Sequence, residues 1–279
     1  MGGLREERDL PYATNALDGS RVYFEEDGGE GETVLLHGGL LDQVDLVRSS
    51  NIARALRDLP EGEFRLVYAD HRGLGRSDKP HDVEAYAMVL RVADAVAVLD
   101  ELGVERAHFV GTSWGGRLGF GIGENAPERI LSLVIGGQQP YAMNPEGPLV
   151  AAVTETLERS RRGGSLDPFV AALESFAGGR LPEALKARWL DNDPEAIDAA
   201  WREALVEGDI SEDLRAWEMR CLIYVGASDV DFREQARRAA SEIQKARFVS
   251  LEDLEHVGAH LTRADRLLPA ILETLRGND

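Results

Sequence analysis

Cysteine is almost missing: Cys221 stands alone among 279 residues. One thiol excludes an internal disulfide framework, a four-cysteine zinc site and a Cys-x-x-Cys redox pair. Long apolar runs are missing too. No stretch approaches the ~18 consecutive apolar residues of a transmembrane helix, so no membrane association is expected. Aromatic residues make up only 6% of a chain that is 43% apolar and 29% charged, the balance of a globular protein rather than a disordered or fibrous one. Lysine is scarce, with Lys79, Lys186 and Lys245 the only three of 31 basic residues. Acidic residues number 50, and the resulting net charge of −19 repels phosphate backbones, so no nucleic-acid partner is expected. The opening Met-Gly-Gly-Leu-Arg-Glu-Glu-Arg-Asp has no apolar core of a signal peptide, and Glu6 spoils a myristoylation pattern. A cytoplasmic location is the expectation. The length fits about two domains, or one α/β domain with an insertion.

What is present is an alternation of short apolar runs and longer helical periodicities. Residues 12–17 and 20–25 read as two strands joined at Asp18-Gly19. Thr33-Val34-Leu35-Leu36 is an apolar run stopped by His37-Gly38-Gly39, followed by a helical stretch over 47–59. A strand over 64–68, a helix over 84–102, a strand over 108–110, a helix over 114–125 and a strand over 130–135 follow. This rhythm specifies parallel βαβ units, an α/β fold with a mostly parallel, doubly wound sheet. It stops after Gly136. Residues 141–220 carry no convincing strand, only short amphipathic helices, and alternation resumes with a strand at 222–225, a helix over 232–244, a strand over 246–251 and a last helix near 263–276. The division expected is a core of 1–140 and 221–279 with a helical cap at 141–220.

Gly111-Thr112-Ser113-Trp114-Gly115, followed by Gly116, falls between a predicted strand and a predicted helix. That context makes G-x-S-x-G a nucleophile elbow: a turn so sharp that its flanking residues must be small, with free helix N-terminal amides ready to hold an oxyanion. A serine nucleophile needs a base and an orienting acid. Of six histidines, His108 lies inside a strand and reads as packing, and His81 lies in a polar stretch and reads as solvated. His256 follows the last strand, so its loop opens onto the same sheet edge as Ser113; His260 is the runner-up. A metal site at these two histidines lacks the Glu of H-E-x-x-H and a third ligand, so no metal is expected. Asp229, after the strand ending at Gly226, is the candidate acid, with Asp231 as alternative. The strand before the insertion ends Gly136-Gly137-Gln138-Gln139 and offers no carboxylate. The order Ser113, Asp229, His256 is the one a hydrolase sheet of this kind requires.

These segments, together with His37-Gly38-Gly39, the loop Asp70-His71-Arg72-Gly73-Leu74-Gly75-Arg76-Ser77-Asp78 and Ala126-Pro127-Glu128-Arg129, resemble the α/β-hydrolase superfamily, in its serine-nucleophile branch with a helical cap. The resemblance covers nearly the whole chain outside the cap. It implies Ser113 as nucleophile, His256 as base, Asp229 as acid, and an oxyanion hole from the backbone N–H groups of Gly39 and Trp114. It also implies that Arg72 is tied into the core. Serine at the elbow separates the chain from the epoxide-hydrolase and haloalkane-dehalogenase branches, and Leu40 stands where proline iminopeptidases carry proline. The short His-Gly-Gly-Leu loop is similar to the esterase, enol-lactonase and carbon–carbon bond hydrolase groups. The expected function is cleavage of a small ester or lactone through an acyl-enzyme. A carbon–carbon bond hydrolase or lyase on the same residues, or a small-molecule receptor, is the alternative. No cofactor is needed, and Gly119-Phe120-Gly121-Ile122-Gly123 reads as helix packing rather than a dinucleotide fingerprint. Residues 141–220 hold sixteen acidic against nine basic residues, which disfavours large anionic substrates. Phe169, Phe176, Trp189, Trp201 and Trp217 are expected mainly to pack the cap helices together, with some facing a ligand.

Overall fold

The computed structural model describes residues 11–60, 62–177, 181–252, 254–256 and 264–277. Eight strands form one sheet in the order β1-β2-β4-β3-β5-β6-β7-β8. They are β1 (Tyr12–Thr14), β2 (Arg21–Asp27), β3 (Glu32–His37), β4 (Phe64–Ala69), β5 (Ala107–Thr112), β6 (Ile130–Gly136), β7 (Arg220–Gly226) and β8 (Ala246–Leu251). The β1–β2 and β2–β4 pairs are antiparallel and the rest parallel. Central strands buried on both faces need apolar residues at every position. Val34, Leu35 and Leu36, Phe109 and Val110, and Leu133 to Ile135 meet that need and are all buried.

The helices are α1 (Val44–Arg48), α2 (Asn51–Arg57), α3 (Met88–Glu101), α4 (Trp114–Asn125), α5 (Pro148–Gly163), α6 (Asp167–Phe176), α7 (Glu183–Leu190), α8 (Pro194–Val206), α9 (Arg233–Glu242) and α10 (Ala264–Arg276). Two of them differ from the sequence expectation. The stretch over 47–59 is two helices, because Ser50 leaves helical geometry and its Oγ accepts the Ala53 N–H at 3.2 Å, a cap that starts α2 afresh. The stretch over 84–102 opens as a 3-10 turn at Val83–Tyr86 before α3 begins. The first hairpin is also wider than expected. Asn15 and Asp18 side chains accept the Leu17 and Ser20 amides, holding 15–20 as a loop.

Between β6 and β7 lie α5 to α8. Their apolar faces, with Val153, Leu157, Phe169 and Trp201, form a cluster that also takes in Leu41, Trp114 and Phe232 from loops of the sheet. Trp217 departs from the expectation: it packs in the main core, tilted against Phe120 and over Gly123 of α4, where a β-carbon would meet its ring at 2.5 Å. Among the described residues no helix is long and apolar enough to cross a membrane. Parallel register aligns the carboxyl ends of the central strands, pairing His37 with Gly111, Thr112 with Gly136, Gly136 with Tyr224 and Gly226 with Leu251. Loops leaving those ends share one crevice.

Candidate active site

Ser113 sits at the turn from β5 into α4 with φ 51° and ψ −111°, the one non-glycine with positive φ among the described residues. A conformation this sparsely populated persists only where its surroundings impose it. Here they do. The Ser113 N–H donates to the Gly136 carbonyl at 2.7 Å and the Gly115 N–H to the Gly38 carbonyl at 2.9 Å, drawing the turn down between β3 and β6. A β-carbon at Gly111 would meet the Gly115 carbonyl oxygen at 2.2 Å, and one at Gly115 would meet the His37 carbonyl oxygen at 2.6 Å. Both glycines of the motif are therefore required by backbone contact.

His256, in the loop after β8, places Nε2 2.9 Å from Ser113 Oγ, and its Nδ1 lies 2.8 Å from Asp229 Oδ2. A carboxylate can only accept, so Nδ1 carries the proton and Nε2 is left to accept the serine hydroxyl. Asp229 is buried, and its Oδ1 accepts the Phe232 amide at 3.3 Å. The two alternatives take other places. Asp231 Oδ2 accepts the Leu149 N–H at the start of α5, tying that helix to the loop after β7; His260 lies outside the described residues. His108 is buried and its Nδ1 is 2.8 Å from Ser132 Oγ, whereas His81 is half-exposed between Asp193 and Glu195.

The Trp114 amide lies in the first turn of α4, where N–H groups have no intrahelical partner. Its ring is fixed by the Arg91 guanidinium, 4.0 Å from the ring centroid, a cation that burial pulls down to about 10. The Gly39 amide is already engaged: it donates to Asp42 Oδ2 at 2.8 Å, while Asp42 Oδ1 accepts the Trp189 indole N–H at 3.0 Å. Sequence reasoning missed Asp42, although a carboxylate three residues beyond His-Gly-Gly was there to be weighed. Beneath this loop His71 Nε2 donates to the Gly38 carbonyl at 3.1 Å, and the His37 ring stacks on Phe109. Arg72 is buried and paired with Asp94 through Nε at 2.6 Å.

Ser113 and His256 open onto a cavity of about 90 Å³. Its walls include Phe169, Trp189 and Trp201 from the inserted helices and Phe232 from the far side. Gln138, beyond β6, adds an amide that the search for a carboxylate passed over. The lining described holds one carboxylate, Asp42, and no lysine or arginine.

A family model described as the alpha/beta hydrolase fold matches residues 32–188, more than half of the chain. The chain belongs to this family. A relative from Caulobacter sp. (strain K31), named "Putative carbamate hydrolase RutD", is 30% identical over 283 residues, covering 95% of this chain and 98% of that one. A thermophilic esterase from Thermogutta terrifontis superposes with a TM-score of 0.77 at 24% identity, over 97% of this chain and 99% of that one. A 2-hydroxy-6-oxo-6-phenylhexa-2,4-dienoate hydrolase from Rhodococcus sp. strain RHA1 gives 0.75 at 23% identity, over 95% and 97%. The likeness to these two structures is one of fold. The chain is thus an enzyme of the α/β-hydrolase family.

Proposed function

We propose that this hydrolase cleaves a small ester or lactone through an acyl-enzyme on Ser113. The observation that carries the reading is the continuous hydrogen-bonded chain from Ser113 Oγ through His256 to Asp229, at 2.9 and 2.8 Å, opening on an apolar cavity. Ser113 attacks the carbonyl as His256 Nε2 takes its proton, and Asp229 holds the tautomer and stabilises the imidazolium. His256 then protonates the leaving group and activates the water that releases the acyl group. The Trp114 amide faces the developing oxyanion, and removing one such donor costs about 10²–10³-fold in related settings.

A carbon–carbon bond hydrolase acting on a dienoate would have to seat a carboxylate. The cavity lining offers that anion no lysine or arginine and sets Asp42 against it, which favours the ester reading. The cavity of about 90 Å³ is small, which favours a short acyl group.

The test is p-nitrophenyl release from a series of esters, acetate to octanoate, by wild type and Ser113→Ala in parallel. Release by wild type alone, peaking at acetate to butyrate and at least about tenfold lower for octanoate, is expected. Equal release by a folded Ser113→Ala protein, or none by either, overturns the assignment.

A further inference from the structure

Asp42 is a carboxylate with no cationic partner among the described residues. Its half-buried carboxylate lines the cavity and accepts two neutral donors, the Gly39 amide and the Trp189 indole N–H. No described Lys, Arg or His forms an ion pair with it. Burial pushes its pKa upward, and only those two hydrogen bonds pull the other way. Buried carboxylates are ordinarily paired, because an isolated one in an apolar surround is costly. Of the other carboxylates near the site, Asp94 is paired with Arg72 and Asp229 with His256, Asp70 accepts the Val44 and Arg76 amides, and Asp231 accepts the Leu149 amide at the start of α5.

The turn does not need the charge. The Asp42 N–H donates to the Gly39 carbonyl at 3.1 Å and the side chain returns to the Gly39 N–H, a reciprocal closure that a neutral side-chain oxygen makes equally well. A proton on Asp42 would need an acceptor of its own, whereas both groups now bound to it are donors. Among the described residues no cation completes this carboxylate, and a ligand in the cavity can supply one. The surroundings suit one: Trp189 and Trp201 present aromatic rings to the same cavity, and the chain carries a net charge of −19. The carboxylate also stands next to the chemistry. The point where a Gly39 β-carbon would stand is 3.2 Å from Asp42 Oδ2 and 3.7 Å from the Ser113 β-carbon.

We propose that Asp42 is the specificity-determining residue of this site and that the substrate carries a protonated amine, close to its scissile carbonyl, that pairs with Asp42. The substrate class is then a small amino-bearing ester or lactone, an inference that builds on the acyl-transfer reading of Ser113. Pairing also serves the reaction. An unpaired carboxylate beside the forming oxyanion opposes it, and an ammonium cancels that field. An ammonium that draws Oδ2 away further frees the Gly39 amide to face the oxyanion.

The experiment measures binding without turnover. The Ser113→Ala protein is titrated with n-butylammonium chloride and, separately, with the isosteric 1-butanol, following tryptophan fluorescence. Butylammonium is expected to bind at least about tenfold tighter, and the advantage to collapse in Ser113→Ala/Asp42→Asn. Equal affinity, or a preference that survives in the double variant, overturns the proposal. The amine-against-alcohol comparison needs no change at Asp42, so it decides the matter even if the double variant does not fold. The two readings also fail separately. Amine selectivity without ester turnover removes the esterase and keeps the cation site, and ester turnover without selectivity does the reverse.

Discussion

The loops that follow β7 and β3 each bring a carboxylate to the active site, Asp229 buried behind His256 and Asp42 half-buried on the cavity wall, and they complete its charge in different ways. After β7, Asp229 meets His256 Nδ1 on one oxygen and the Phe232 amide on the other. After β3, Asp42 meets only the neutral N–H groups of Gly39 and Trp189. The first carboxylate is finished within the protein, as a group that orients a base must be, since its geometry has to precede the substrate. The second is left open toward the space a ligand fills. On the proposed reading the closed carboxylate serves the reaction and the open one serves recognition, and substitutions at the two positions should fail in different ways.

The largest effect belongs to the closed carboxylate. Asp229→Asn keeps the shape but presents an amide to His256, which favours the wrong tautomer and leaves the imidazolium without its counter-charge. kcat for p-nitrophenyl acetate is expected to fall about 10⁴-fold, with KM and melting temperature nearly unchanged. A fall of less than tenfold would place the orienting acid elsewhere and remove the contrast between the loops.

The open carboxylate should register in stability. Asp42→Ala takes the acceptor from two partly buried hydrogen bonds, those of the Gly39 amide and the Trp189 indole, and a loss of about 1–2 kcal/mol in urea unfolding is expected. Asp42→Asn retains an oxygen for the Gly39 amide and should recover at least half of it. If Ala and Asn lose equally, the side-chain oxygen is not what closes the turn, and the argument that the charge is surplus to the fold falls with it.

The difference between the loops also marks how far the sequence could be read. The β7 loop was legible because its carboxylate follows an apolar strand and precedes a helix, and because only one chain order of serine, acid and base suits a parallel sheet. The elbow was legible for a related reason: Gly111 and Gly115 are forced by backbone contacts local to the turn. Asp42 was not legible in the same way, since an Asp in a turn ordinarily closes the turn or faces water. Its burial depends on Trp189, which is 147 residues away and reaches Asp42 only because the inserted helices fold over the sheet edge. Trp217 shows the converse. Counted with the inserted helices by position, it belongs to the sheet core, because the β-carbon-free face of Gly123 makes room for its ring. The break at Ser50 was hidden because Ile52, Ala53 and Leu56 continue the apolar periodicity of the preceding helix.

The smallest effect concerns what each loop rests on. The β3 loop leans on two buried imidazoles: His37 and His71 have ring centroids 4.6 Å apart, and neither ring nitrogen of His37 has a hydrogen-bond partner among the described residues. Burial, aided by the positive charge of Arg91, pushes the His37 pKa down from 6.5 to about 3, and His71 is lowered in the same direction. Between these values the unfolded chain binds the His37 proton and the folded protein does not. Stability is therefore intact above pH 6.5 and is lost as pH falls toward 3, by up to about 1.4 kcal/mol per pH unit from His37 alone. His37→Phe gives up no hydrogen bond and keeps a ring against Phe109, so it should remove that share of the slope without a large loss at neutral pH. Urea unfolding of both proteins at pH 6.5, 5.5 and 4.5 measures it, because carboxylates common to the two cancel in the difference. Parallel slopes would mean that the His37 ring takes up its proton in the folded state, and that the β3 loop tolerates a cation beneath it as well as one beside Asp42.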